Sequence, residues 1–157
     1  MKAYTLIELL ITVTIIILFS GASISSYLTF NENRQLDNDA RNFKSVLNKI
    51  RVKAVFLEYP KDCVGFSGIL VYSEANTDGK KTILNYKINC ADKIYDGVSE
   101  EALGASEFSD HFSFIFSPMT GNISDLEDKI IILRDLTDNS KTRSITVDKF
   151  SGTKNEI

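Results

Sequence analysis

The sequence is poor in the residues that enzymes and metal sites use. His111 is its only histidine, so a histidine-based metal centre or a cysteine–histidine pair would rest on one residue beside a strand start, where a loop or packing role is the plainer reading. Cys63 and Cys90 are the only cysteines, and neither belongs to a CxxC pair. They admit one structural disulfide in an oxidising compartment or two buried free thiols. No glycine-rich phosphate loop, nucleophile elbow or paired-cysteine zinc motif is present, so no catalytic residue and no cofactor is expected. Asp125, Glu127 and Asp128 are oxygen donors of the type Ca²⁺ prefers, but they lack a regular loop spacing, and no metal is expected there. Internal repeats and low-complexity stretches are also missing. The net charge of -3 is too small to argue for or against a nucleic-acid partner.

Charge itself is scarce at one end. Between residues 6 and 30 the only charged side chain is Glu8, in a run that reads Leu-Ile-Glu-Leu-Leu-Ile-Thr-Val-Thr-Ile-Ile-Ile-Leu-Phe from residue 6. About 20 apolar residues cross a bilayer core as a helix, so this length predicts a transmembrane helix over residues 4–30. It is not a secretory signal peptide: Lys2 is the whole positive region, and no small-residue cleavage site follows the run. A carboxylate in such a segment costs roughly 2.5–3.5 kcal/mol at the helix centre and less near its end, so Glu8 calls for a compensating group.

Proline is nearly absent too. None interrupts residues 4–59, and apolar residues recur at Leu36, Ala40, Phe43, Leu47, Ile50, Ala54 and Leu57. That 4-3-4-3 spacing is one stripe of an amphipathic helix over residues 31–59, ended by Tyr59-Pro60. The opposite face carries Arg34, Arg41, Lys44, Lys49, Arg51 and Lys53. It reads either as a strip for DNA or anionic lipid or, more plainly, as a solvated face partnered by Asp37 and Asp39.

Beyond Pro60 the period changes to 2. Strands are predicted over 64–72, 82–89, 112–116, 129–134 and 143–148, and residues 92–110 read as a long surface loop. The hairpin of the first two strands puts Cys63 and Cys90 at its outer end. An antiparallel sheet packed on the helix stripe accounts for every apolar segment, which makes the fold class α+β with a β-rich head over 60–157.

Ala3-Tyr4-Thr5-Leu6-Ile7-Glu8-Leu9-Leu10 resembles the cleavage and methylation signature of type IV pilins and pseudopilins. The resemblance implies a pilin-like fold and a leader of residues 1–3 removed by prepilin peptidase. It further implies a cut between Ala3 and Tyr4, methylation of Tyr4, and Glu8 as the residue that directs assembly. Ala3 and Tyr4 replace the usual glycine and phenylalanine. The implied life history is a single-pass inner-membrane protein in contact with lipid and an assembly platform. It then joins other pilin subunits in an extracellular or periplasmic filament. A phenylalanine-rich strand running into Ser117-Pro118-x-x-Gly121, an aliphatic strand, then Ser144-Ile145-Thr146-Val147 and Gly152, is similar to the GspH/FimT class of minor pilins and pseudopilins. That class has two small sheets behind the helix. Some members bind DNA through arginines near the terminal glycine, whereas Thr153-Lys154-Asn155-Glu156 contains none. The expected role is a minor pilin. Its alternatives are a type II secretion pseudopilin and a DNA-binding minor pilin in competence.

Overall fold

The computed structural model describes residues 5–75, 79, 82–97, 100–101, 103–124, 127–149 and 152–156, and their side chains except at 21–26, 28, 29, 32, 100, 101 and 152–156. The chain divides into two compact units, Met1–Arg34 and Gln35–Ile157. One helix, α1, runs over Leu6–Val55.

In the first unit the helix opens on Thr5, whose carbonyl accepts the amides of Glu8 at 3.1 Å and Leu9 at 3.3 Å. The polar residues in its apolar run do not break it, because their hydroxyls turn back onto the backbone. Thr12 donates to the Leu9 carbonyl (2.8 Å), Thr14 to Ile11 (2.8 Å) and Ser20 to Ile16 (2.7 Å). Among the described residues no helix is long and apolar enough to cross a membrane. The expectation of a transmembrane half over residues 4–30 is therefore not supported by them.

In the second unit the helix buries Leu36, Ala40, Phe43, Val46, Leu47, Ile50 and Ala54. It ends at Val55, earlier than the proline predicts. Leu57 takes a left-handed φ of 56°, the Glu58 amide reaches back to the Lys53 carbonyl (2.9 Å), and the Leu57 amide reaches Ala54 (3.4 Å). These are the two bonds of a Schellman cap, normally built on glycine. A leucine in that position costs about 1–2 kcal/mol, and gives no sequence signal.

Two antiparallel sheets pack on this helix. The first joins β1 (Phe66–Glu74), β2 (Ile83–Cys90), β3 (Ile94–Asp96), β4 (Glu100–Glu101) and β6 (Ser113–Phe116) in the order β3-β2-β1-β6, with β4 also on β2. The second joins β5 (Ser106–Phe108), β7 (Lys129–Asp135), β8 (Thr142–Asp148) and β9 (Gly152–Glu156) in the order β5-β7-β8-β9. Residues 92–110 are thus no surface loop: they hold β3, β4 and β5, and they bury Leu103, Ser106 and Phe108. Strands of two or three residues are too short to display a period. The first strand begins at Phe66 rather than at residue 64, with a bulge between Phe66 and Gly68. Gly68 sits at φ 139°, and a Cβ there would lie 2.6 Å from the Phe116 carbonyl oxygen.

A cluster of phenylalanines binds the layers. Phe43 of the helix meets Phe108 of β5 edge-on at 5.1 Å and Phe112 at 6.0 Å. Phe112 in turn contacts Phe108 (5.0 Å) and Phe114 of β6 (5.9 Å). Helix and both sheets therefore share one core, and the phenylalanine-rich strand is where the layers join.

Candidate assembly interface

The first unit presents apolar surface in every direction. From Leu6 to Phe19 the side chains of Leu6, Ile7, Leu9, Leu10, Ile11, Val13, Ile15, Ile16, Ile17, Leu18 and Phe19 are all exposed, Leu6 at 81% and Phe19 at 72%. Covering them would contribute on the order of 10–20 kcal/mol, allowing for their partial mutual shielding. An exposed apolar surface of this extent marks an interaction site. Glu8 lies among these residues, exposed, with no side-chain partner among the described residues. Ala3 and Tyr4 lie outside the described residues.

The second unit treats its helix differently, tying it to the head at four points. Asp39 accepts hydrogen bonds from the amides of Gly104 (3.2 Å) and Ala105 (2.8 Å) and from the Ser106 hydroxyl (2.8 Å). Asp37 pairs with the Arg143 guanidinium at 2.7 Å. Arg51 donates from Nε to the Gly121 carbonyl (2.9 Å), and Lys53 donates to the Tyr86 hydroxyl (3.0 Å). The solvated-face reading is corrected in its partners: Arg34, Arg41 and Lys49 are exposed, but Asp37 and Asp39 serve the head instead of neighbouring helix cations, and Arg51 and Lys53 donate to the head. Sequence reasoning missed the Asp39 clamp, although an aspartate inside a helix beside the apolar stripe, where it is a poor helix former, is the available signal.

The segment 117–121 closes the helix end. The Met119 amide caps the Ala54 carbonyl at 3.2 Å. Gly121 is buried at φ 63°, and a Cβ there would lie 2.7 Å from Val55 Cγ2 and 2.9 Å from Arg51 Cγ. The glycine of the Ser117-Pro118-x-x-Gly121 pattern is thus a physical requirement of helix packing.

Cys63 and Cys90 form a disulfide with Cα atoms 5.7 Å apart. Beside it Lys93 pairs with Asp62 at 2.7 Å. Hydrogen bonding to Lys93 is the main cause that holds the Asp62 carboxyl below its ordinary range, and the same bond raises the Lys93 ammonium. The Ala91 amide, bonded to the Val64 and Gly65 carbonyls at 2.9 and 3.0 Å, adds a third link. Together they fasten the chain leaving the helix to the turn after β2.

Asp135 is buried at the end of β7. Burial pushes its carboxyl up, but hydrogen bonds from the Thr137 hydroxyl and from the amides of Thr137 and Asp138, with the Lys141 charge, outweigh it and leave the group below its ordinary range. His111 is exposed between β5 and β6. Of the acidic trio, Asp125 lies outside the described residues and Asp128 accepts the Lys149 amide at 2.7 Å. Among the described residues no three histidine, cysteine or acidic side chains converge on a metal-sized site.

No family model matches the sequence, and no curated protein matches it. In structure it is similar to the crystal structure of the type IV minor pilin FimU of Pseudomonas aeruginosa, strain PAO1. The TM-score is 0.53 over 82% of this chain and 92% of that one, at 13% identity. A likeness at that identity is one of fold: a helix packed on antiparallel sheets in an α+β head, which is a pilin fold.

Proposed function

We propose that this chain is a structural subunit, a minor pilin, of a type IV pilus-like filament. Prepilin peptidase cuts it behind Ala3 and methylates Tyr4. The helix then bundles with those of other pilin subunits in an extracellular filament, with Glu8 setting its place. The observation that carries this reading is the exposed apolar run from Leu6 to Phe19 on a chain with a pilin fold. A folded head leaves that run uncovered, and a bundle of like helices covers it. Inside such a bundle the Glu8 carboxylate must find a partner, because burying it alone would cost several kcal/mol. A charge of that kind selects one arrangement of helices among many that apolar contact alone would allow.

Mass spectrometry of the subunit recovered from sheared filaments tests the proposal. The expected N-terminus is methylated Tyr4, and an intact Met1 in assembled protein would overturn it. Glu8→Ala should lower the filament-borne fraction at least tenfold while leaving the cell-associated amount unchanged.

A further inference from the structure

The end of the helix carries an apolar tip that the head does not use. Val52 stands on the last turn of α1 and Phe56 one turn beyond it. The Phe56 amide still donates to the Val52 carbonyl at 2.9 Å, so the two side chains lie on one face. Phe56 is 71% exposed, and Val52 is exposed with it. Met119 joins them from the segment 117–121: its amide caps the Ala54 carbonyl at 3.2 Å, while its side chain is 70% exposed. Among the described residues, Leu57 and Met119 are the two non-glycine residues with a left-handed φ, at 56° and 63°. One follows Phe56 directly and the other caps the same turn. Glycine at 119 would supply the same amide without the Cβ penalty. The methionine side chain is therefore carried against the backbone's preference, at a place where the head gains little from it. Other exposed apolar residues of the head lack these marks. Ile130 and Ile132 lie in a regular strand, each beside a hydroxyl of β8, Thr146 and Ser144. Tyr59 stacks on the Phe66 ring, the Val64 amide is bonded to the Asp92 carboxylate, and Ile94 adjoins the Lys93–Asp62 pair.

Given the pilin reading, on which this inference rests, we propose that Val52, Phe56 and Met119 receive the apolar N-terminal helix of a neighbouring pilin subunit in the filament. Size selects the occupant. The three side chains expose on the order of 300–400 Å², well short of the ~800 Å² per partner that a stable pair of proteins buries. The tip can therefore hold only a partner that is already held by a larger contact. The larger apolar surface on this chain is the run from Leu6 to Phe19, whose bundling supplies that contact in the filament. Of a neighbour's parts, an apolar run like residues 9–19 here brings no charge that would have to lose its water against three uncharged side chains. Phe56 offers a rigid face, and the unbranched thioether of Met119 follows the relief of the incoming helix. A contact between two unlike surfaces repeats along an open assembly instead of closing on itself.

Removal of the leader with Met1 leaves Met119 as the sole methionine, so peroxide reports on this one place. Sheared filaments and washed membranes holding the unassembled subunit receive the same hydrogen peroxide, which transfers one oxygen atom to the thioether and leaves a sulfoxide and water. Peptide mass spectrometry should show Met119 oxidised at least fivefold more slowly in filaments; equal rates would overturn the proposal. A benzophenone side chain placed at Phe56 in the full-length chain identifies what lies there. In filaments its photoproduct should contain the N-terminal apolar helix of a pilin, whereas capture of a pilin head, a non-pilin protein or a lipid would overturn the proposal. Met119→Gly separates docking from stability. It should leave the chain's thermal midpoint no lower than that of the wild type, because the backbone is relieved, and lower the filament-borne fraction at least threefold. A lower midpoint would assign the side chain to the head, and normal assembly would deny it a docking role; either result overturns the proposal. A wild-type chain that never enters filaments removes the pilin reading, whereas one that enters them with Met119 open to peroxide removes the tip contact alone.

Discussion

The two halves of the long helix obey opposite rules. Residues 6–19 expose apolar side chains on every side. Beyond Gln35 the helix buries one stripe, and its acids and bases are tied to strands and loops far away in sequence. The first half carries exposed apolar surface, which in the proposed filament faces other chains. The second half carries the stability of this one. An all-round apolar helix is uniform by composition, so its only specific element is the charge on Glu8, whereas the amphipathic half is specific at almost every position.

Mutations can break that comparison, and the largest effect should come from the shared core. Phe43→Ala removes the ring that joins the helix to both sheets and should destabilise the head by about 3–5 kcal/mol in denaturant titration. Phe19→Ala, of identical chemistry in the exposed half, should change the same measurement by no more than about 0.5 kcal/mol. Equal effects at the two sites would end the distinction. Opening the disulfide with Cys63→Ser and Cys90→Ser, which frees a link spanning 27 residues, should cost about 3.5 kcal/mol on the chain-entropy model. Its sign sharpens the contrast, because filament entry through the apolar half should survive wherever the head still folds. Asp39→Ala leaves the amides of Gly104 and Ala105 and the Ser106 hydroxyl without their acceptor, at a cost of about 2 kcal/mol. The smallest effect is in pH. The Asp135 carboxyl is lowered in the folded state from an ordinary value of 3.8. Its contribution is complete above that value and fades as pH falls through the lower folded one. Asp135→Asn should therefore flatten the loss of stability below about pH 4, leaving the apolar half unaffected.

Much of this organisation is legible in the sequence. The stripe from Leu36 to Ala54 names the buried helix face, and five strands appear within a few residues of their places. What escaped has physical reasons. Leu57 ends the helix in a backbone state that leucine adopts only under compulsion, so Pro60 took the credit. The strands at 94–96, 100–101 and 106–108 owe their pairing to neighbours in space rather than to any local pattern. The terminal strand at 152–156 is polar and edge-placed, and nothing in Thr-Lys-Asn-Glu announces it. Asp37 and Asp39 looked like solvent-facing partners for helix cations because helical geometry reveals which residues are near each other on one element, never which distant loop will claim them. The candidate interface divides the same way: Glu8 is plain in its context, while the tethers on Asp37 and Asp39 emerge only from the folded head.

The clamp on Asp37 has a temporal consequence. Its partner Arg143 lies 106 residues away in sequence, so the contact cannot form until nearly the whole chain has been made. The apolar run is synthesised first. The roughly 140 residues that follow it take on the order of 10 s to synthesise at about 5–20 residues per second. Throughout that interval the stickiest part of the molecule exists without a finished head behind it, and long-range pairings of this kind close slowly even afterwards. An apolar run exposed for that long is an aggregation hazard until something covers it.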